Sequence, residues 1–390
     1  MRPSTRIAST ITLGLFVAVT ATGLAQRGRT PPAPSAASPS DATARIVAAA
    51  QAVVASLDEA GRAKIQFPFE SPQKAKWSNL PSGIFQRDGV RLADLTAPQR
   101  AAVDTLLSTA LSADGYRKVK DIMRADGVLG RGQGGGGRGP GGGGPPPGAG
   151  GPPPGAGGPP PGAGGPPPGG GGRGGGRGGN LRFAEDEYFL AFLGTPSATA
   201  PWMLQFGGHH LAINLTMAGS QATMAPSLPA SQPASYEFEG RTIRPLGNEN
   251  DKAFALINAL SDAQRAQAII GSRVADLVLG AGQDGRTIQP EGIRGAALSA
   301  PQQTMLLEIV REWSGIQHAA FAAPRMAEIQ ANLPDTYFAW SGPTTSGSAA
   351  YFRIQGPTLH IEYAPQGGVD HIHTIYRDPT NDYGAKFTRK

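Results

Sequence analysis

Hydrophobic and polar positions change period along the chain, and the change nearest the C-terminus is the most informative. Thr358 to Ala364 reads T-L-H-I-E-Y-A, and His371 to Arg377 reads H-I-H-T-I-Y-R, with Gly367 and Gly368 between them. Alternation with period two on both sides of a turn-forming loop predicts a β-hairpin. His360 and Glu362 then share one face of the first strand, and His371, His373 and Ile375 one face of the second. A register with Glu362 opposite His373 would gather all four polar groups on one side; a slip by one residue would reverse every side chain. A further strand is predicted over Leu211–Met217, following P-W-M-L-Q-F-G-G-H-H at 201–210. Alternation puts His210 with Asn214 and Thr216, and His209 with Leu211, Ile213 and Leu215, while Gly207 and Gly208 permit close backbone approach. Tyr236–Ile243, Tyr337–Trp340 and Tyr351–Ile354 also read as strands.

Helical spacing appears elsewhere. Asp41 reads as the cap of a helix through Leu57, with Ile46, Val47, Val53 and Val54 on its apolar side, and Glu185–Leu193 reads as a short helix. Three stretches carry a capping box in which Ser or Thr is followed three residues on by Gln: L-T-A-P-Q-R at 95–100, L-S-D-A-Q-R at 260–265 and L-S-A-P-Q-Q at 298–303. They mark helix starts and do not by themselves establish a repeat. The fold class expected is α+β: an antiparallel sheet with packed, capped helices, in one domain interrupted by a disordered insert.

That insert changes the picture of composition. Residues 131–180 repeat P-P-P-G-A-G-G from Pro145, Pro152 and Pro159 between Gly/Arg runs, and hold the bulk of the glycine excess. Period seven without glycine at every third place excludes a collagen helix, and the lack of large apolar groups predicts a disordered linker. Residues 1–25 read as a signal peptide, with Arg2 and Arg6 before an apolar run from Ile11 to Val19 and small residues at Gly23-Leu24-Ala25. Residues 26–40 form a Pro/Ser/Ala-rich tether, 41–130 an N-terminal helical part, and 181–390 the α+β part that carries the candidate site. The mature protein is therefore expected to be secreted or periplasmic, with no membrane span. The formal charge of +6 is matched by six arginines in the leader and insert, so nucleic-acid binding is not expected. With no cysteine there is neither a disulfide framework nor a thiolate ligand.

The sharpest chemistry is a metal site. Imidazoles two apart on a strand point the same way and converge on one ion. His371, His373 and His210 are the candidate ligands, with His209 and Glu362 able to close the shell, Glu362 as ligand or base, and His360 auxiliary. Three histidines with a carboxylate suit zinc; two with one carboxylate suit non-haem iron; copper is also compatible. Binding requires neutral imidazoles and is expected to weaken as pH falls through about 6.5. Arg353 and Arg377 would orient an anionic group of the substrate. The function expected is a metal-dependent enzyme, hydrolytic or oxidative, acting on a small molecule or glycan. Metal-free hydrolysis would instead use a histidine beside Glu362 or Asp378, although no G-x-S-x-G elbow is present. The competing class is a carbohydrate- or peptide-binding protein whose groove is lined by Trp202, Phe206, Trp340, Tyr351, Tyr363 and Tyr376.

Together PWMLQFGGHHLAINLTMAG (201–219), TYFAWSG (336–342), YFRIQGPTLHIEY (351–363) and HIHTIYRDPTNDYG (371–384) resemble the family catalogued as domain of unknown function 3500. KWSNLP (76–81) and LSADGYRKVKDIM (111–123) fit it too, so the resemblance spans both sides of the insert. It implies exported or soluble α+β proteins and carries over no reaction and no catalytic residue.

Overall fold

The computed structural model describes residues 38–134, 181–274 and 276–388. The leader, nearly all of the tether, and residues 135–180 of the insert lie outside the described residues.

The first half opens with α1 (Pro39–Ser56), whose cap is Ser38 rather than Asp41: Ser38 Oγ accepts from the Asp41 amide, and Pro39 occupies the first turn. Helix α2 (Glu59–Ile65) leads into β1 (Gln66–Phe67). After a long loop come β2 (Val90–Arg91), one 3-10 turn, α3 (Ala97–Ala110) and α4 (Ala113–Gly134). Strands β3 (Phe189–Leu193), β4 (Trp202–Gly208) and β5 (Leu211–Ala218) form the sheet, extended by β6 (Gln221–Thr223) and β7 (Leu228–Pro229), both against β5. The helix expected over Glu185–Leu193 is in fact β3. Its residues Leu190, Ala191, Phe192 and Leu193 are all buried, and a strand flanked by β1 and β4 satisfies their backbone groups.

A hairpin, β8 (Tyr236–Phe238) and β9 (Arg241–Ile243), joins the halves. The second half then repeats the order: α5 (Gly247–Ala259), α6 (Asp262–Ala268), β10 (Ile269–Gly271), β11 (Ile293–Arg294), a 3-10 turn, α7 (Ala300–Ser314), α8 (Ala319–Ala331), β12 (Tyr337–Ser341), β13 (Tyr351–Gly356), β14 (Leu359–Pro365) and β15 (Ile372–Arg377). Its sheet has the same topology, with β10 parallel and β11 antiparallel to β12, as β1 and β2 are to β3. Sequence follows structure. D-G-V-R-L-A-D-L-T-A-P-Q at 88–99 stands where E-G-I-R-G-A-A-L-S-A-P-Q stands at 291–302, and the preceding Leu57 and Leu260 keep the same spacing to these motifs. Gly89 and Gly292 have φ of 107° and 97°, and in each a Cβ would meet the carbonyl of Leu190 or Phe338 at 2.3 or 2.2 Å. The chain is a tandem duplication, and the insert separates α4 from β3 in the first copy alone.

Equivalent segments of the two halves meet antiparallel at two places. Leu111, between α3 and α4, bridges Gln317, between α7 and α8; Ser227 and Ser231 around β7 bridge Tyr376 and Ile372 of β15. Reciprocal contact between like surfaces is what a local twofold relation produces. Each half has its own core, one of α1, α3, α4 and the first sheet, the other of α5, α7 and the second sheet, and Phe321 of α8 crosses into the first. Among the described residues, no helix is long and apolar enough to cross a membrane.

Candidate metal centre

The centre lies where the two halves meet. His209 and His210 are the two residues of the β4–β5 turn, since Gly208 pairs with Leu211. The strand alternation expected for them therefore does not apply: His210 is left-handed, with φ of 61°, and both rings turn toward α4. Gly208 allows this. A Cβ there would stand 2.7 Å from the Tyr188 ring. The Tyr188 hydroxyl donates to Asp126 Oδ2 (2.6 Å), and the His209 carbonyl lies 2.9 Å from the same oxygen. Asp126, on α4, was not visible as a site residue in the sequence. Its Oδ1 lies 2.8 Å from His209 Nδ1 and 3.4 Å from His210 Nδ1, the latter too poorly aimed for a hydrogen bond and left without a partner among the described residues.

On the other side, His210 Nε2 stands 2.9 Å from His371 Nε2, and the His371 and His373 ring centres are 4.5 Å apart. His371 lies just before β15, in the loop that leads into it, and His373 within the strand. His373 Nδ1 lies 3.1 Å from Asp276 Oδ1, a second acidic residue that sequence reasoning missed, and its Nε2 is 3.2 Å from Asn79 Nδ2. His210, His371 and His373 thus offer nitrogens all within 4.8 Å of one another, and Asp126, His209 and His210 form a second such set.

Glu362 does not join them. Faces are as expected, but the hairpin pairs Glu362 with Ile375, and His373 with Ala364, two residues away from the register expected. At about 3.4 Å per residue that carries the carboxylate about 7 Å along the sheet. The register is fixed on both sides of β15. Ser227 and Ser231 exchange backbone hydrogen bonds with its outer edge. Glu362 meanwhile accepts from the amides of Val278 and Leu279 (2.7 and 2.8 Å) and from Tyr351 Oη (2.8 Å), with His360 Nε2 at 2.8 Å. Arg353 and Arg377 are similarly occupied: Arg353 pairs with Glu291, and Arg377 holds the carbonyls of Leu279 and Gly280 together with Asp284 and Asp382. Glu362, Arg353 and Arg377 tie the 272–292 loop to the sheet, and that loop carries Asp276; His360 reaches it only through Glu362. The aromatic groove is not formed either: Trp202, Phe206, Trp340, Tyr351, Tyr363 and Tyr376 are all buried in the fold.

Electrostatics prepare the imidazoles for a cation. Burial lowers His210 to about 3 and, aided by the neighbouring His373, lowers His371 to about 4. Both rings are neutral well below pH 6.5. Burial pushes Asp126 up, but its hydrogen bond with His209 and the His210 ring close beside it outweigh that and leave the carboxyl below its usual range. Asp276 is likewise held down, burial being outweighed by His373 and the Leu277 amide. Two nitrogens on one zinc ion stand about 3.3 Å apart at ordinary bond lengths. The 2.9 Å between His210 and His371 is therefore a small adjustment away.

No curated protein and no solved structure matches this chain. The family described as protein of unknown function (DUF3500) matches residues 40–385. With nearly the whole described chain inside that match, and the two halves and their shared histidine cluster all within it, the chain belongs to the DUF3500 family.

Proposed function

We propose that this chain is a metal-dependent enzyme whose divalent ion is held by His210, His371 and His373. One observation carries the reading: three imidazoles from a turn, a loop and a strand of two different halves converge within 4.8 Å, with carboxylates behind two of them. A hydrogen-bonded carboxylate–histidine pair, as Asp276 and His373 form, fixes ring orientation and raises ligand basicity. Three nitrogen ligands with a position left open favour zinc over iron, because Glu362 is engaged elsewhere. A zinc ion there would supply a Lewis acid and a water of lowered pKa, which favours hydrolysis over oxidation. The protein's own groups have separate tasks. Asp276 orients His373, Asp126 stands behind His210, and Asn79 presents an amide beside His373 that can orient a substrate oxygen. We place the protein outside the cytoplasm, a reading supported by the leader-like residues 1–25.

The test is metal content and Co(II) titration of the purified chain beside a His371→Ala/His373→Ala variant. About one tightly held equivalent in the parent, lost in the variant, is expected. Negligible metal in both after reconstitution removes the reading.

A further inference from the structure

His210 has two ring nitrogens, and the centre accounts for only one of them. Nε2 faces His371 at 2.9 Å. Nδ1, which points away from that side, is enclosed and makes no hydrogen bond among the described residues. Asp126 Oδ1 lies 3.4 Å from it, and the same oxygen lies 2.8 Å from His209 Nδ1. Either state of the His210 nitrogen is unfavourable there. Protonated, it has no well-aimed acceptor; unprotonated, its lone pair faces a carboxylate oxygen that carries lone pairs of its own. A cation between the two satisfies both.

The surroundings suit such an ion. The three atoms lie within 4.8 Å of one another, and the two rings stand 3.5 Å apart, centre to centre. Asp126 Oδ2 is taken by the Tyr188 hydroxyl at 2.6 Å, which leaves Oδ1 for one bond to an ion. The turn itself is pinned: the left-handed His210 accepts at its carbonyl from the Ala230 amide at 2.8 Å. Asp126 and His210 are buried, whereas His209 is 7 % exposed and still meets solvent. An ion caged directly by its ligands needs no separate cavity, and closed cages of this kind are how proteins hold structural zinc.

We propose that Asp126 Oδ1, His209 Nδ1 and His210 Nδ1 form a second divalent-cation site, so that the His210 ring bridges two ions, with Nε2 on one and Nδ1 on the other. The bridge rests on the metal-centre reading for its first ion; the second site does not. At ordinary bond lengths the two ions stand about 6 Å apart. Protons balance as follows. When the second ion enters, the proton on His209 Nδ1 shifts to Nε2, and the proton on His210 Nδ1 leaves to solvent, so that one proton is released per ion. That release makes the second ion the weaker of the two.

The test is Co(II) stoichiometry by equilibrium dialysis of metal-free, full-length protein. Two equivalents are expected, the second bound at least about tenfold more weakly than the first. His209→Gln and Asp126→Asn should each remove the second and keep the first. His209→Gln retains an amide that can bond Asp126, and decides the matter if Asp126→Asn fails to fold. With Cu(II) in place of Co(II), the first equivalent should give an EPR signal and the second should diminish it, because two Cu(II) spins pair across a shared imidazolate. A single equivalent that disappears in His371→Ala/His373→Ala but not in His209→Gln upholds the metal centre and overturns the second site. A single equivalent with the opposite dependence removes the metal centre, and the bridge with it, and upholds the second site. A second equivalent indifferent to both His209→Gln and Asp126→Asn, or an EPR intensity that doubles, overturns the proposal; no bound metal in any sample overturns both readings.

Discussion

Four groups converge on the carboxylate of Glu362, and none of them is a substrate: His360, Tyr351 and two backbone amides of the loop after Arg273. Arg377, on the same face, gathers two carbonyls of that loop and the carboxylates of Asp284 and Asp382. Such buried charges are structural fasteners, and their cost is readable in pH. Burial raises Asp382 from 3.8 to about 6, although Arg377 pulls it down. Between those two values the native chain holds a proton that the unfolded chain has released. This group's contribution therefore makes stability fall as pH rises from about 4 to 6, and the penalty is constant above that. Asp382→Asn removes the titration while keeping an acceptor for the Asp378 amide. The variant is expected to match the parent near pH 4 and to exceed it at pH 7, by on the order of 3 kcal/mol at most. Denaturant unfolding of both proteins at the two pH values checks this, and a variant less stable than the parent at pH 7 would contradict it.

At the scale of elements, the capping boxes do more than start helices. Gln99 accepts from the Thr96 amide and donates to the carbonyl of Ser56 at the end of α1; Gln302 accepts from the Ser299 amide and donates to Ala259 at the end of α5. One residue thus caps one helix and closes the exposed carbonyl end of another in both halves. Gln302 also exchanges hydrogen bonds with Gln264, of the α6 capping box, and is buried where Gln99 is half-buried. Gln302→Ala should therefore cost about 2–3 kcal/mol and Gln99→Ala about 1 kcal/mol, measured by urea unfolding. Equal losses would mean that the Gln264–Gln302 exchange contributes nothing. These helix starts were legible because a cap is local, decided by residues three apart. So were the strands of the closing hairpin and the faces of His360, Glu362 and His373, which follow from alternation alone. The hairpin's register was not legible. It depends on Ser227 and Ser231, far away in the chain, and on a loop whose amides Glu362 needs. Asp126 and Asp276 were hidden for the same reason: one sits on an ordinary amphipathic helix and the other in a loop, and only tertiary folding brings them behind imidazoles.

At the scale of the molecule, duplication explains why the described residues hold a histidine centre at one end of the pair of halves and not at the other. The β4–β5 turn that carries His209 and His210 corresponds to the β13–β14 turn, which carries Pro357 and Thr358. Around the second turn Arg325 bonds the Thr358 carbonyl and Tyr376 Oη, and pairs with Asp378 and Glu328. An ion cluster fills the place where the first half presents imidazoles, so among the described residues the groups that could hold a cation lie at one end of the pair. The centre needs both halves, His210 from one and His371 and His373 from the other. Neither half keeps its surface covered alone: Lys118 of α4 pairs with Glu249 and Glu312 in the second half, and Phe321 of α8 fills the first core. A break at the exposed tip of the β8–β9 hairpin, between Glu239 and Gly240, cuts no contact between halves. Fragments 38–239 and 240–388 expressed separately should be poorly folded and bind Co(II) weakly, since burying an unpaired charge costs several kcal/mol and each core lacks part of its cover. Refolded together they should co-elute as one species and regain the Co(II) affinity of the intact chain. A lone fragment 240–388 that bound Co(II) as tightly as the intact chain would show that His210 is no ligand, and would locate whatever site exists on the second half alone.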